Sequence, residues 1–149
     1  MKILTPYQTV ELRLFVLHDI GKLVIAVELP EHIEKAMALM RDSGCSMHAA
    51  EKETWGFTHA EVGGYRLGLL GLPYPIVETV ANHHEPMRVD NNEFGILGAA
   101  HVANCLVHQE LSARSNQPIP GFDQAYLERT ASSHQLESWR ELARKRISG

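Results

Sequence analysis

The chain is predicted to be all-α, on three observations. Apolar residues recur at spacings of three and four through most of its length. Prolines, glycines and capping residues punctuate those runs where helices should start and stop. No stretch alternates apolar and polar residues as a half-buried strand does. At 149 residues the chain is expected to form one domain with a substantial core.

In chain order, Leu12, Phe15, Val16, Ile20, Leu23 and Val27 predict a first helix over residues 7–28. Pro30 suits the first turn of the next, because the amide it lacks has no partner there. Ile33, Ala36, Met37 and Met40 form that helix's apolar face, and Gly44 ends it. A short helix follows over residues 46–54. "THAE", Thr58 to Glu61, is a capping box opening a helix that continues to about residue 70. After the turn "GLPYP", Ile76, Val77 and Val80 predict a helix over residues 75–84. "RVDNNEFG" is polar and reads as a loop. A long helix is expected over residues 94–113, carrying Ile96, Leu97, Ala100, Ala103, Cys105, Leu106 and Leu111. Residues 112–122, "SARSNQPIPGF", read as an internal linker-like loop. Two short helices close the chain, over residues 123–130 and 134–146.

Composition narrows the function. Hydrophobic residues make up 44% and charged residues 21%, as in soluble globular proteins. The formal charge of −4 argues against a nucleic-acid binder, which needs a basic surface. No apolar run reaches the roughly 18 residues of a membrane span. The first 17 residues lack the pattern of a secretory signal. Cys45 and Cys105 are isolated, so reduced thiols and a cytoplasmic protein are expected.

Four polar clusters stand out against the apolar runs. They are His18-Asp19 with Lys22, His59, His83-His84, and His101 with Asn104. Imidazole nitrogens and carboxylate oxygens suit iron, manganese, zinc or nickel. Lys22 lies one turn beyond His18, where an ammonium can meet an anionic ligand such as a phosphate. Each cluster also has a plain reading. The His-Asp pair is an ordinary polar contact, and His59 is solvated at a first helical turn. His83 and His84 bond the last carbonyls of a helix, and His101 is a satisfied core histidine. His32, His48, His108 and His134 fit exposed positions and are given no role.

Taken together, "LHDIGKL", "GFTHAEVGGYRLGLLGLP", "IVETVANHHEP" and "AAHVAN" resemble the HDOD domain in order and spacing. This is a bacterial signalling branch of the HD metal-dependent phosphohydrolase superfamily. "FDQAYLERTASSHQLESWRELA" is similar to the tail of such domains. The pieces also resemble the HD-GYP phosphodiesterases, although "HHEPMRVDNNEFG" replaces their glycine-tyrosine-proline loop. The resemblance implies an HD-like helical bundle. It implies metal ligands at His18, Asp19, His59, His83 and His84, with Asp19 and Lys22 as the residues that would serve catalysis.

Two departures bear on activity. HD enzymes carry a first histidine upstream of the His-Asp pair, and none of the 17 residues before His18 is histidine. The resemblance therefore implies a bundle truncated on its N-terminal side. Asn104 stands where the last metal-binding aspartate belongs. A single-metal site would keep only His18 and Asp19. A second position, using Asp19, His59, His83 and His84, would keep three imidazoles and a carboxylate. Replacement carboxylates could come from Glu51, Glu61, Glu78 or Glu85, of which Glu85 is nearest in sequence to the paired histidines.

The leading expectation is a signalling or regulatory module, non-catalytic, that binds a divalent metal or a small phosphorylated ligand in a residual pocket. The alternative is a metal-dependent phosphodiesterase acting on a nucleotide or cyclic dinucleotide. Without the N-terminal lobe, Leu12, Leu14, Phe15 and Val16 would be uncovered. A homodimer or a signalling partner is expected to bury them.

Overall fold

The computed structural model describes residues 17–112 and 121–147, and all of its regular elements there are helical. The helices are α1 (Ile20–Glu28), α2 (Pro30–Ser43), α3 (Met47–Trp55), α4 (His59–Leu69), α5 (Tyr74–Asn82), α6 (Ile96–Ser112), α7 (Gln124–Arg129) and α8 (Leu136–Ile147). Short 3-10 turns occupy Pro86–Arg88 and Ser133–Gln135. The expected uncovered residues Leu12, Leu14, Phe15 and Val16 lie outside the described residues, as does most of the linker-like loop.

Local chemistry explains most boundaries. Pro30 occupies the first turn of α2, and Gly44 ends it in the left-handed region at φ 69°. The Ser46 hydroxyl caps α3 by accepting from the Ala49 amide. Thr58 and Glu61 form the capping box of α4 reciprocally: the hydroxyl accepts from the Glu61 amide and the carboxylate from the Thr58 amide. The Asp123 carboxylate caps α7 through the Tyr126 amide.

One boundary differs from the periodicity. His18 and Asp19 form a turn, and α1 begins only at Ile20. The single helix expected across this region is therefore interrupted at the pair of greatest chemical interest. A Cβ on Gly21 would fall on the His59 carbonyl oxygen and lie 2.8 Å from the Gly63 amide nitrogen. The backbone of α1 thus rests directly on the backbone of α4, a closeness only glycine permits.

The same device recurs between α4 and α5, where a Cβ on Gly64 would meet the Ala81 Cβ at 2.7 Å. α4 therefore packs against α1 on one side and α5 on the other. Leu67, Ile76 and Val80 form the apolar core of this half, with Leu17, Ile20 and Val77 against them. A second core joins α6 to the C-terminal helices through Val102, Leu106, Tyr126 and Leu127. Phe94 stacks on Trp139 at 4.9 Å beside it. Both cysteines are free, and burial pushes the Cys105 thiol up to about 12. Among the described residues no helix is long and apolar enough to cross a membrane.

Candidate metal centre

The glycine contacts bring three helix ends to one place. Asp19 precedes α1, His59 opens α4, and His83 and His84 follow the last turn of α5. One ligand atom from each of Asp19, His59, His83 and His84 lies within 4.8 Å of the others. His59 Nε2 is 3.2 Å from Asp19 Oδ1 and 3.0 Å from His84 Nε2. His83 Nε2 is 3.9 Å from Asp19 Oδ1.

The opposite side of two of the three rings is fixed by a partner. His83 Nδ1 donates to the Val80 carbonyl at 2.8 Å, which leaves Nε2 as the lone-pair nitrogen. Glu51 Oε2 lies 2.6 Å from His59 Nδ1 and accepts the His59 backbone amide at 2.9 Å. Such outer contacts set the tautomer of a metal-ligating histidine and raise its basicity. The plain reading of His59 as a solvated residue fails, because it is wholly buried, as is Glu51. Helix α3 supplies that cover, because Glu51 projects over the first turn of α4.

Two further atoms test whether the set fits an ion. His83 Nε2 is buried and has no hydrogen-bond partner among the described residues, and the buried Asp19 Oδ1 has only the His59 ring nitrogen at 3.2 Å. Buried polar atoms are normally paired, and an unpaired one costs about 1–3 kcal/mol. Both belong to the cluster, and a cation among the four residues would satisfy both. Three nitrogens and one carboxylate oxygen make a donor set suited to zinc, iron, manganese or nickel.

Electrostatics divides the cluster. Burial opposes charge on Asp19, but the His59 and Lys22 contacts outweigh it and hold the carboxyl well below the usual carboxylate range. Burial likewise opposes charge on His59. The flanking Asp19 and Glu51 carboxylates prevail and raise its pKa above the ordinary value. Burial pushes His83 down to about 3. It also holds His84 well below its usual range, helped by the neighbouring His83 and His59. Without a metal, His59 is therefore the histidine that keeps a proton, held between carboxylates and neutral imidazoles.

The remaining sequence candidates fall around this set. His18 is not among the four. Its Nε2 is 3.5 Å from Asp19 Oδ2, and its ring packs edge-on to His83. Lys22 donates to Asp19 Oδ2 at 2.7 Å, so its ammonium is already paired with the carboxylate. Asn104 is buried, and its Nδ2 has no hydrogen-bond partner. Among the proposed carboxylates, Glu61 pairs with Arg88 at 2.8 Å, and Glu85 lies 3.7 Å from His48. Glu51 is the one that contacts a member of the cluster, and it does so from behind His59.

Sequence reasoning gave His48 no role, yet its ring packs on His84 with centroids 4.7 Å apart. A cavity of about 190 Å³ borders the cluster there, lined in part by Lys22, His48, His59, His84 and His108. His101 is buried and fully bonded: Nδ1 donates to the His83 carbonyl at 2.8 Å, and Nε2 accepts the Asp123 amide at 2.9 Å.

Fold and site together define a helical module with a histidine-aspartate cluster able to hold a metal ion. Residues 14–86 match the family model of the HDOD domain. Over that stretch, just under half of the chain, it is similar to the HDOD domain family. No curated protein and no solved structure matches the chain.

Proposed function

We propose that this protein is a regulatory HDOD module that holds one divalent metal ion for structural or sensory purposes and does not turn over a substrate. The observation that carries the reading is the convergence of four ligand atoms within 4.8 Å of one another, with the buried His83 Nε2 unpartnered among the described residues and His59 braced by Glu51. Asp19, His59, His83 and His84 would hold the ion. When bound, a divalent ion there supplies Lewis acidity and a more acidic water. What the chain's own residues supply toward a reaction is thinner. Lys22 is the one ammonium at the small cavity's edge, and it is engaged with Asp19. Asn104 contributes no charge where a carboxylate would complete a further metal position.

Metal analysis of the purified protein, then a phosphodiesterase assay with added manganese or iron, tests the reading. One ion per chain without turnover supports it. Metal-dependent turnover of a nucleotide or cyclic dinucleotide replaces it with the phosphohydrolase alternative. A regulatory module also needs something to contact, and a second copy of this chain is the first candidate. Leu23 and Val27, one turn apart on α1, are 60% and 68% exposed. Light scattering is expected to report a dimer, and a single monomeric species at high concentration counts against one.

A further inference from the structure

The stretch that carries His83 and His84 leaves the end of α5 and passes through the 3-10 turn Pro86–Arg88. Both of its ends are held from the C-terminal part of the chain. At the near end the His83 carbonyl accepts from His101 Nδ1 at 2.8 Å, and His101 Nε2 accepts the Asp123 amide at 2.9 Å. One tautomer of a neutral imidazole makes both bonds. Asp123 is the residue that caps α7. At the far end Arg129, the last residue of α7, donates from Nη2 to the Val89 carbonyl at 2.6 Å. Residues 83–89 are thus tied at both ends to one six-residue helix. That helix is itself seated by tertiary packing: Tyr126 and Leu127 are buried with Val102 and Leu106 of α6, and Leu136 and Trp139 of α8 pack against them.

Arg129 is not a loose surface contact. Its guanidinium lies over the Tyr126 ring, 5.7 Å from the centroid, and its Nε is buried with no hydrogen-bond partner among the described residues. Burying an unpaired nitrogen is costly, so the reach to Val89 is held in place by the packing around it. We propose that α7 positions the metal ligands, with His101 and Arg129 as the positioning residues, so that docking of the C-terminal helices sets the metal affinity of the cluster. Both residues touch backbone carbonyls and neither touches a ligand atom, so they act through the placement of His83 and His84. Loosening α7 from α6 slackens the segment at both ends and weakens metal binding. Occupation of the cluster in turn holds α7 more firmly, because linkage makes the effect mutual. This rests on the metal reading above and adds a route by which that site is controlled.

Two measurements on the full chain test it: zinc titration against a competing chelator, and hydrogen exchange read by mass spectrometry with and without zinc. In the wild type zinc is expected to slow exchange over residues 124–129 about fivefold or more. Arg129→Met keeps the apolar stem and loses the donors. It should bind zinc about fivefold or more weakly and lose most of the zinc-dependent slowing at α7. Arg129→Lys can still donate to the Val89 carbonyl and should recover part of both effects. If Arg129→Met fails to fold, His101→Gln takes its place with the same expected losses, since its amide cannot span from the His83 carbonyl to the Asp123 amide. A purely structural role would lower Tm and leave zinc affinity and the zinc-dependent slowing as they are. Zinc affinity unchanged in the variant, or zinc bound by the wild type without any slowing at α7, overturns this inference alone. A wild type that binds no zinc overturns it together with the metal reading.

Discussion

Replacing Glu51 tests the metal centre from behind, without touching a ligand. Its Oε2 is the acceptor for two His59 groups, the ring Nδ1 at 2.6 Å and the backbone amide at 2.9 Å. Both partners are wholly buried, so neither finds water when Glu51→Ala removes the carboxylate. Each stranded donor costs about 1–3 kcal/mol, so the metal-free protein should lose about 2–5 kcal/mol. At about 2–4 °C per kcal/mol for a chain of this size, Tm falls by about 5–15 °C. Glu51→Gln retains a carbonyl oxygen that accepts from both groups and loses only the charge, so its cost should be about 1 kcal/mol. Metal affinity should fall about 10- to 100-fold in the alanine variant, as when other outer partners of ligating histidines are removed. Calorimetry in chelator reads the first effect, and titration with zinc against a competing chelator reads the second. If Glu51→Ala melts within about a degree of wild type and binds zinc equally well, the proposed support of His59 is wrong.

Three further outcomes follow from the same geometry. Gly21→Ala puts a methyl on the His59 carbonyl and should cost about 3 kcal/mol in urea unfolding, with zinc binding lost as α1 and α4 separate. Asp19→Ala should abolish the stabilisation that zinc produces, expected in wild type to be about 2.7 kcal/mol at about one hundred times Kd and read as a rise in Tm. It should also abolish any phosphodiesterase activity, and activity unchanged in that variant would exclude this site. For pH, the sign differs within the cluster. His83 titrates at about 3 when folded and near 6.5 when unfolded, so the unfolded chain binds more protons between those values. Metal-free stability should therefore fall as pH drops below about 6.5, by on the order of 2–4 kcal/mol by pH 3. His59 acts oppositely. Its raised pKa adds stability that is complete below about 6.5 and lost as pH rises through the folded value. Urea titrations from pH 3 to 9 in chelator should show a maximum between these limits, and a stability that keeps rising as pH falls from 6.5 refutes the assignment for His83.

The helices were legible because each carries its own local signals. Thr58 with Glu61, Pro30, Gly44 and the apolar spacing of Ile76 and Val80 need no tertiary knowledge. The break at His18 and Asp19 was not legible, since the apolar run continues through it. Nor was the close approach of α4, some 40 residues later, to Gly21. The glycines of "DIGKL" and "EVGGY" were the available hint, and they mark backbone contact rather than flexibility. The four clustered residues were legible as a set only through the resemblance to HD-type domains, because the polar islands that hold them also hold His18, His101 and Asn104. Their outer partners were not. Glu51 is separated from His59 by a helix end and a turn, and His48 from His84 by 36 positions. No periodicity links such pairs. Glu85 lies next to the paired histidines in sequence, but it reads as a surface glutamate, and its carboxylate turns outward to Arg88 and His48.

His101 has a consequence that reaches past the family match, which ends at residue 86. One imidazole clasps the carbonyl of His83 on one side and the amide of Asp123 on the other. Withdrawing the C-terminal helices breaks this clasp and frees the backbone that aims His83. By reciprocity, whatever tightens His83 also fastens the tail, and by the same free energy. The last helices of the chain are thus tied through one side chain to the backbone that carries His83.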